Sequence, residues 1–272
     1  MLRRVLRGAE RVAGRRSVVR AARFLWLEAR LDGPNSLPVN GESLVQASLN
    51  AAAGPIVVLD VGAHFGEWTT SLLQQIQRDD LCVICFEPSA HTFQHLKAHF
   101  AGQDRAPRLV RSALGAQEGT TLLNVVHAGA GSNSIVTFGD HKSLEQEEVP
   151  VSTIDDYCER QRLKRLDLVK IDAEGADLDV MRGAASMLSH QRIGLLQFEY
   201  NHRWIHARYF LKDAFDLLEP HGYSLGKVTA RGIEEYPSWH EELESFREGN
   251  YLAYLSSWRR QLPIISWWNA AP

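Results

Sequence analysis

An apolar run, Ile56–Val61, carries a single acid, Asp60, and empties into a turn with glycines at 62 and 66 before a helix-like segment begins. A run of this kind is the pattern of a strand buried on both faces, as in the centre of a parallel sheet. The two glycines allow something to approach the backbone closely. Leu81–Phe86, Arg108–Ala113, Leu166–Ile171 and Ile193–Tyr200 repeat the strand pattern. Helical segments near 66–77, 89–101, 175–189 and 209–219 separate or follow them. The alternation predicts an α/β chain with an open, doubly wound sheet. Tyr223–Lys227 and Asn250–Leu255 are candidates for the last two strands. The rhythm breaks between the third and fourth core strands. There the sequence predicts an extra strand at Thr120–Val126, a polar loop over 127–147 and a short extended Val149–Val151. A helix over Thr153–Arg160 follows, capped by Thr153 or Ser152.

The turn excludes two phosphate sites. Position 64 is His, so there is no G-x-G-x-x-G, and no Lys-Ser/Thr pair follows as in a P-loop. Asp60 repels a pyrophosphate and suits a cationic ligand. Glu87 stands directly after the second strand, where an acid grips ribose hydroxyls at the carboxyl end of a doubly wound sheet. A nucleoside with a positive group and no phosphate satisfies both acids, and S-adenosylmethionine is such a molecule. The expected contacts are Asp60, Gly62, His64, Gly66, Thr69 and Glu87.

These motifs also carry a resemblance. Val58–Thr69 resembles the first motif of class I methyltransferases in its D-V-G-A-x-x-G-x-x-T form, and Phe86-Glu87-Pro88 the acidic second motif. Leu168–Ala176 is similar to the K-I-D-x-E-G-x-E stretch of the FkbM methyltransferases. Val151–Asp155 and Gly131–Ser134 match that family's approach strand and small-polar loop. The likeness spans roughly 56–226. The sequence departs from the family at His64, where Asn is usual, and at Leu114 and Gly115, where an Asp often follows the third strand. The resemblance implies a class I methyltransferase fold, a Rossmann-like doubly wound sheet of seven strands, mostly parallel with the last antiparallel, to which the N-terminal helix is an extra element. It also implies O-methylation of a small molecule or glycan: a sugar, a polyketide or a similar natural product. His64 is then expected to donate to the cofactor carboxylate. The adenine contact falls to the backbone near Ala113.

Removing a proton from an alcohol calls for a base or a bound cation. Asp172 and Glu199 are expected as the catalytic floor at the ends of the fourth and fifth core strands, with His202 as base. Asp172, Glu174 and Glu199 are also hard oxygen donors suited to a divalent metal, although the spacing does not demand one. Lys170 reads as a partner for a buried acid. In the 127–147 loop, His127, Ser132, Asn133, Ser134 and His141 are expected to cover the acceptor. Trp204, Trp239 and Trp258 are candidates to stack on a sugar face or simply to pack.

Charge divides the chain. Residues 1–30 hold nine Arg and two acids, a net +7, whereas the rest is −10. The acidic body and the lack of an Asn-Pro-Pro-Tyr/Phe motif weigh against the first alternative, a nucleic-acid methyltransferase. The second alternative, a non-catalytic partner subunit with a cofactor fold, is opposed by Asp60, Glu87, Asp172 and Glu199. Residues 2–31 read as one amphipathic helix with Arg4, Arg7, Arg11 and Arg15 along a face. It is expected to pack on its own acidic domain or a second copy, or to lie on an anionic membrane. The organisation is therefore a basic helix at 1–32, a connector at 33–55, a methyltransferase domain at 56–256 and an aromatic tail at 257–272. The tail is expected to fold back or to dock on a second copy in a homo-oligomer. Three cysteines make no disulfide framework. Cys82 and Cys85 sit three apart on a strand, facing opposite ways, so they do not form half a zinc site. A reducing, cytoplasmic location follows, with no secretory signal. No apolar run reaches the ~20 residues of a membrane span.

Overall fold

Gly14, at φ 76° and ψ 150°, interrupts the helix expected over 2–31 and divides it into α1 (Leu2–Ala13) and α2 (Arg15–Ala29). The computed structural model describes residues 2–33, 36–37, 39–125, 136 and 145–270. Within the connector lies α3 (Glu42–Ser48). Two strand-helix steps and a third strand follow: β1 (Ile56–Val61), α4 (Glu67–Gln75), β2 (Leu81–Phe86), α5 (Ala90–His99) and β3 (Arg108–Val110). Next come β4 (Ala113–Leu114), β5 (Gly119–Val125) and β6 (Glu145–Ser152), then α6 (Ile154–Gln161) and β7 (Leu166–Ile171). The chain continues through α7 (Asp177–Arg182), α8 (Ala185–Ser189), β8 (Ile193–Tyr200), α9 (Arg203–Ala207) and α10 (Leu211–Leu218). It ends with β9 (Tyr223–Thr229), β10 (Gly232–Tyr236), β11 (Gly249–Leu255) and β12 (Ile264–Ser266).

The main sheet has the order β12-β10-β9-β11-β8-β7-β1-β2-β3. Strands β3, β2, β1, β7, β8, β11 and β9 are the seven expected from the sequence. β11 runs antiparallel to both its neighbours. The sheet has nine strands, however, because β10 and β12 extend that edge. β12 belongs to the aromatic tail, which folds back onto its own sheet and buries Trp267. Three further boundaries differ from expectation. The third strand stops at Val110, because Ser112 donates to the Pro150 carbonyl and the chain crosses into the sheet β4-β6-β5. The helix expected over 175–189 is divided by Gly183-Ala184. A one-turn helix, α9, stands between the fifth core strand and the helix near 209–219, where no element was expected.

Side chains alternate between two cores along β1. Val58 packs with Leu72 and Trp68 of α4 and Val45 of α3, whereas Leu59 and Val61 join Leu178 and Met181 of α7 on the other face. Helices on both faces explain why every residue of β7 and β8 is buried, including Lys170, Gln197 and Glu199. Truncating a side chain such as Leu196 here costs about 2–5 kcal/mol. Cys82 is exposed and Cys85 buried, so the C-x-x-C pair is divided between faces as its spacing required. Strand order reverses between β1 and β7, and such a switch point opens a crevice at the carboxyl ends of the strands.

Candidate active site

The crevice is a cavity of about 430 Å³. Gly62 forms its floor, and a Cβ there would collide with the carbonyl oxygen of Asp172. Its φ of 76° also favours glycine. Backbone bonds fix the turn: Gly62 and Ala63 both donate to the Phe86 carbonyl at 3.0 Å, and Asp172 donates to the Val61 carbonyl at 3.0 Å. The ends of β1, β2 and β7 are thus tied together around the cavity.

Glu87 lies beyond β2 and is buried. One carboxylate oxygen accepts from the His64 backbone at 3.1 Å, the other from Ser89 at 2.9 Å. Each oxygen keeps further acceptor capacity for a ligand hydroxyl. Burial pushes this carboxyl up to about 7, against the two backbone donors. His64, at φ 50°, and Ala113 also line the cavity, and Leu114 and Leu123 of the small sheet cover its side. Three expected cofactor contacts lie behind the wall instead. Asp60 has no exposed surface, accepts from the Thr69 hydroxyl at 2.6 Å and pairs with Lys170. Gly66 is the left-handed residue that starts α4. Asp60, Gly66 and Thr69 shape the turn rather than face the cavity.

The opposite wall is acidic. Asp172, Glu174 and Glu199 each place a carboxylate oxygen within 4.8 Å of the others. Glu199 is held by the Asn201 amide at 2.5 Å, and its carbonyl accepts from the Trp204 indole at 3.0 Å. Glu174 has φ 54°, an uncommon backbone for a residue with a side chain, and pairs with Arg203 at 2.5 Å. Asp177 holds this turn by accepting from the Ala173 and Gly175 backbones at 3.2 and 3.1 Å. Burial, and then the Asp172 charge, push Glu174 up to about 8 and Asp177 up to about 7. The same two causes, joined by Glu174, raise Glu199 well above the carboxylate range. Lys170 is a buried ammonium between Asp60 and Asp172. Burial works against its charge, but Asp60, Asp172 and Glu42 overcome this and hold it above the ordinary lysine range.

The structure does not bring His202 to this wall. It precedes α9 on the exposed surface, because the turn that directs Asn201 onto Glu199 directs its neighbour outward. Trp204, Trp239 and Trp258 do not line the cavity either. Trp204 is core, Trp239 donates to Glu244, and Trp258 packs at Gly194. His127, Ser132, Asn133, Ser134 and His141 lie outside the described residues.

One buried acid in the cavity was not anticipated. Glu42 of α3 accepts from Asn40 at 2.6 Å and from Gln197 at 2.5 Å. Its helix sits close because Gly41, at φ 91°, lies against the backbone of Thr229, where a Cβ would collide. Arg203, Glu248 and Asn250 line the cavity too. No spacing in the sequence joins residues 42, 197 and 250. Only the Asn40-Gly41-Glu42 turn signal was there to be read.

Residues 60–225, more than half of the chain, match the family described as Methyltransferase FkbM domain. The hexuronic acid methyltransferase AglP of Haloferax volcanii is 26% identical over 182 residues, 65% of this chain and 67% of that protein. The 2-O-methyltransferase NoeI of Sinorhizobium fredii is 26% identical over 192 residues, 65% of this chain and 76% of that protein. A solved methyltransferase FkbM from Methylobacillus flagellatus aligns with 76% of this chain at 14% identity and a TM-score of 0.48, and this chain spans about half, 48%, of its length. A match that runs from Asp60 at the end of β1 to Leu225 in β9, through every wall of the cavity but α3 and β11, means that the chain belongs to the FkbM family of S-adenosylmethionine-dependent methyltransferases.

Proposed function

We propose that this chain methylates a hydroxyl group of a sugar or a similarly hydroxylated small molecule. One observation carries the reading: the carboxylates of Asp172, Glu174 and Glu199 gather in the same cavity as Gly62 and Glu87. The names of the two relatives, one acting on hexuronic acid and one a 2-O-methyltransferase, support an oxygen on a sugar.

The residues fit the cofactor. Glu87 offers acceptor oxygens to ribose hydroxyls, Gly62 presents bare backbone, and the acidic wall favours a cationic centre. Ala113 and Leu114 line the same cavity and are read as the contact for an adenine. When bound, S-adenosylmethionine supplies a methyl group already activated for displacement. The chain must then orient the acceptor oxygen, and orientation alone reaches effective molarities on the order of 10⁵ M. It must also take a proton from an alcohol whose pKa is about 16, close to that of bulk water. Asp172 and Glu199 are the acceptors for that proton. Burial and like charge raise Glu199, so it is a stronger base than an ordinary carboxylate. Protein cations and an amide already hold the cluster: Lys170 on Asp172, Arg203 on Glu174 and Asn201 on Glu199. The site is therefore read as working without a divalent metal.

The test is a panel of sugars and polyols incubated with methyl-labelled S-adenosylmethionine. Release of S-adenosylhomocysteine and a methyl group mapped to oxygen are expected. Transfer to RNA or DNA alone would replace this reading with a nucleic-acid enzyme. Calorimetry without cofactor binding would leave a partner subunit.

A further inference from the structure

The α1–α2 arm is the largest feature that the methyl-transfer site leaves unused. In α1, Val5, Leu6, Ala9, Val12 and Ala13 share one side, and Arg3, Arg4, Arg7 and Arg11 take the other. In α2, Val18, Val19, Ala22, Leu25 and Trp26 form a stripe flanked by Arg16, Arg20 and Arg23. Such stripes normally face a core. Here Val12 is 90% exposed and Leu25 66%, and Val5, Leu6, Val19 and Trp26 are exposed as well. No residue of α2 is buried. The arm is tied down at its foot. Trp26 lies against the guanidinium groups of Arg30 at 4.8 Å and Arg247 at 5.1 Å, and Arg30 donates to the Glu242 carbonyl at 3.0 Å.

We infer that this arm docks on an anionic lipid bilayer, its apolar stripe in the acyl boundary and its arginines among the headgroups. Helices of 12 and 15 residues are about 18 and 22 Å long, too short to cross a bilayer. No described helix is long and apolar enough to do so. Leu, Val and Trp opposite a row of Arg is the pattern of a helix lying in the interface. A second copy is the poorer occupant, because pairing two stripes brings two sets of nine arginines together. A smaller cavity of about 160 Å³ at the foot, lined by Glu28, Asp32 and Lys227, shares Asn40, Glu248 and Asn250 with the active-site cavity. The foot of the docked arm therefore adjoins the active-site cavity.

The test is co-sedimentation of the full chain with phosphatidylcholine vesicles, with and without 30 mol% phosphatidylglycerol, at roughly 0.1 M salt where surface charges still act. The chain is expected to sediment with the anionic vesicles and to be released by high salt. Arg16→Gln, Arg20→Gln and Arg23→Gln together should weaken binding on the order of a hundredfold, at roughly fivefold per basic residue near an anionic surface. Val12→Glu with Leu25→Glu should abolish it. Both variants alter exposed side chains, so unchanged cofactor binding by calorimetry confirms the fold. Equal binding to neutral vesicles, or no binding to either, overturns the inference. So does a dimer in light scattering that Val12→Glu with Leu25→Glu dissociates, or tight binding to duplex DNA unaffected by that variant.

Discussion

Lys170 stands directly across from Asp60 in the β1–β7 pair, with its Nζ 3.3 Å from Asp60 Oδ1. Both residues are buried. The same ammonium lies 3.5 Å from Asp172 and donates to the Gly62 carbonyl at 3.2 Å. A single cation thus joins the glycine turn, the acid behind it and the first acid of the carboxylate wall. Strand register produces this arrangement, because neighbouring parallel strands place residues 60 and 170 side by side on one face.

Lys170→Met should therefore damage more than charge balance. Breaking a buried pair leaves the other charge uncompensated and costs about 3–5 kcal/mol. A fall of that size in urea unfolding and a loss of cofactor affinity are expected. In an Asp60→Asn background the added cost should shrink, since the two groups act on each other. A Lys170→Met chain within 1 kcal/mol of the parent would show that the pair is dispensable.

Glu87→Gln tests the ribose contact. The amide keeps one acceptor oxygen, so either the His64 or the Ser89 backbone donor is still served. Hydrogen bonds to a charged group contribute about 1.5–3 kcal/mol, so cofactor affinity should fall roughly 10- to 100-fold. Titration calorimetry reads this directly. Unchanged affinity would move the ribose elsewhere in the cavity.

Residues near one another in sequence were legible, and residues joined only by the fold were not. The turn from Gly62 to Gly66 and the acids at 87, 172 and 199 could be placed because each lies at or just beyond the end of its own strand. Glu42 could not, because its partner Gln197 is 155 residues away. His202 shows the reverse error. It follows a strand end as the acids do, but α9 begins at Arg203 and turns it to solvent. Asp60 and Thr69 were read as facing a ligand, although the motif that names them does not say on which side of the wall they lie. β10 escaped notice because Glu234 and Glu235 break its apolar pattern, even though Glu234 is buried beside Tyr236. β12 has only three residues, and its partner strand had itself not been anticipated.

Chelation should leave turnover within about twofold, because each carboxylate of the cluster already has a protein partner and hard cations need several free oxygens. The check is the rate before and after EDTA, then with Mg²⁺ restored. A rate lost with EDTA and regained with Mg²⁺ would make Asp172, Glu174 and Glu199 a metal site.

Stability of the ligand-free chain should fall between pH 5 and 8. Burial raises Glu87 and Asp177 to about 7. Burial and Asp172 raise Glu174 to about 8. In this window the folded chain binds more protons than the unfolded chain, so raising pH favours unfolding. Each pKa unit corresponds to about 1.4 kcal/mol. A drop of several degrees in melting temperature is expected, flattened in Asp177→Asn. A melting temperature that rises over the same window would contradict these shifts.

The pH dependence of methyl transfer should report the carboxylate wall. The base must be ionised, so the rate falls as pH drops through the pKa of the cluster. Asp172, Glu174 and Glu199 interact closely, and the value measured belongs to the group. Burial raises Glu199 first, and the charges of Asp172 and Glu174 add to it, so the rising limb should lie well above the ordinary carboxylate range. Glu174→Gln removes one like charge and leaves Arg203 near the remaining acids. The limb should then move to lower pH, the opposite of what a merely structural defect would do. Glu199→Gln should lower kcat by about 10²- to 10⁴-fold, the usual contribution of a general base. Cofactor affinity should fall less than in Glu87→Gln, because Asp172 and Glu174 keep the wall around the cationic centre acidic. A limb that stays in place in Glu174→Gln, together with a Glu199→Gln rate within fivefold of the parent, would assign proton removal to another group.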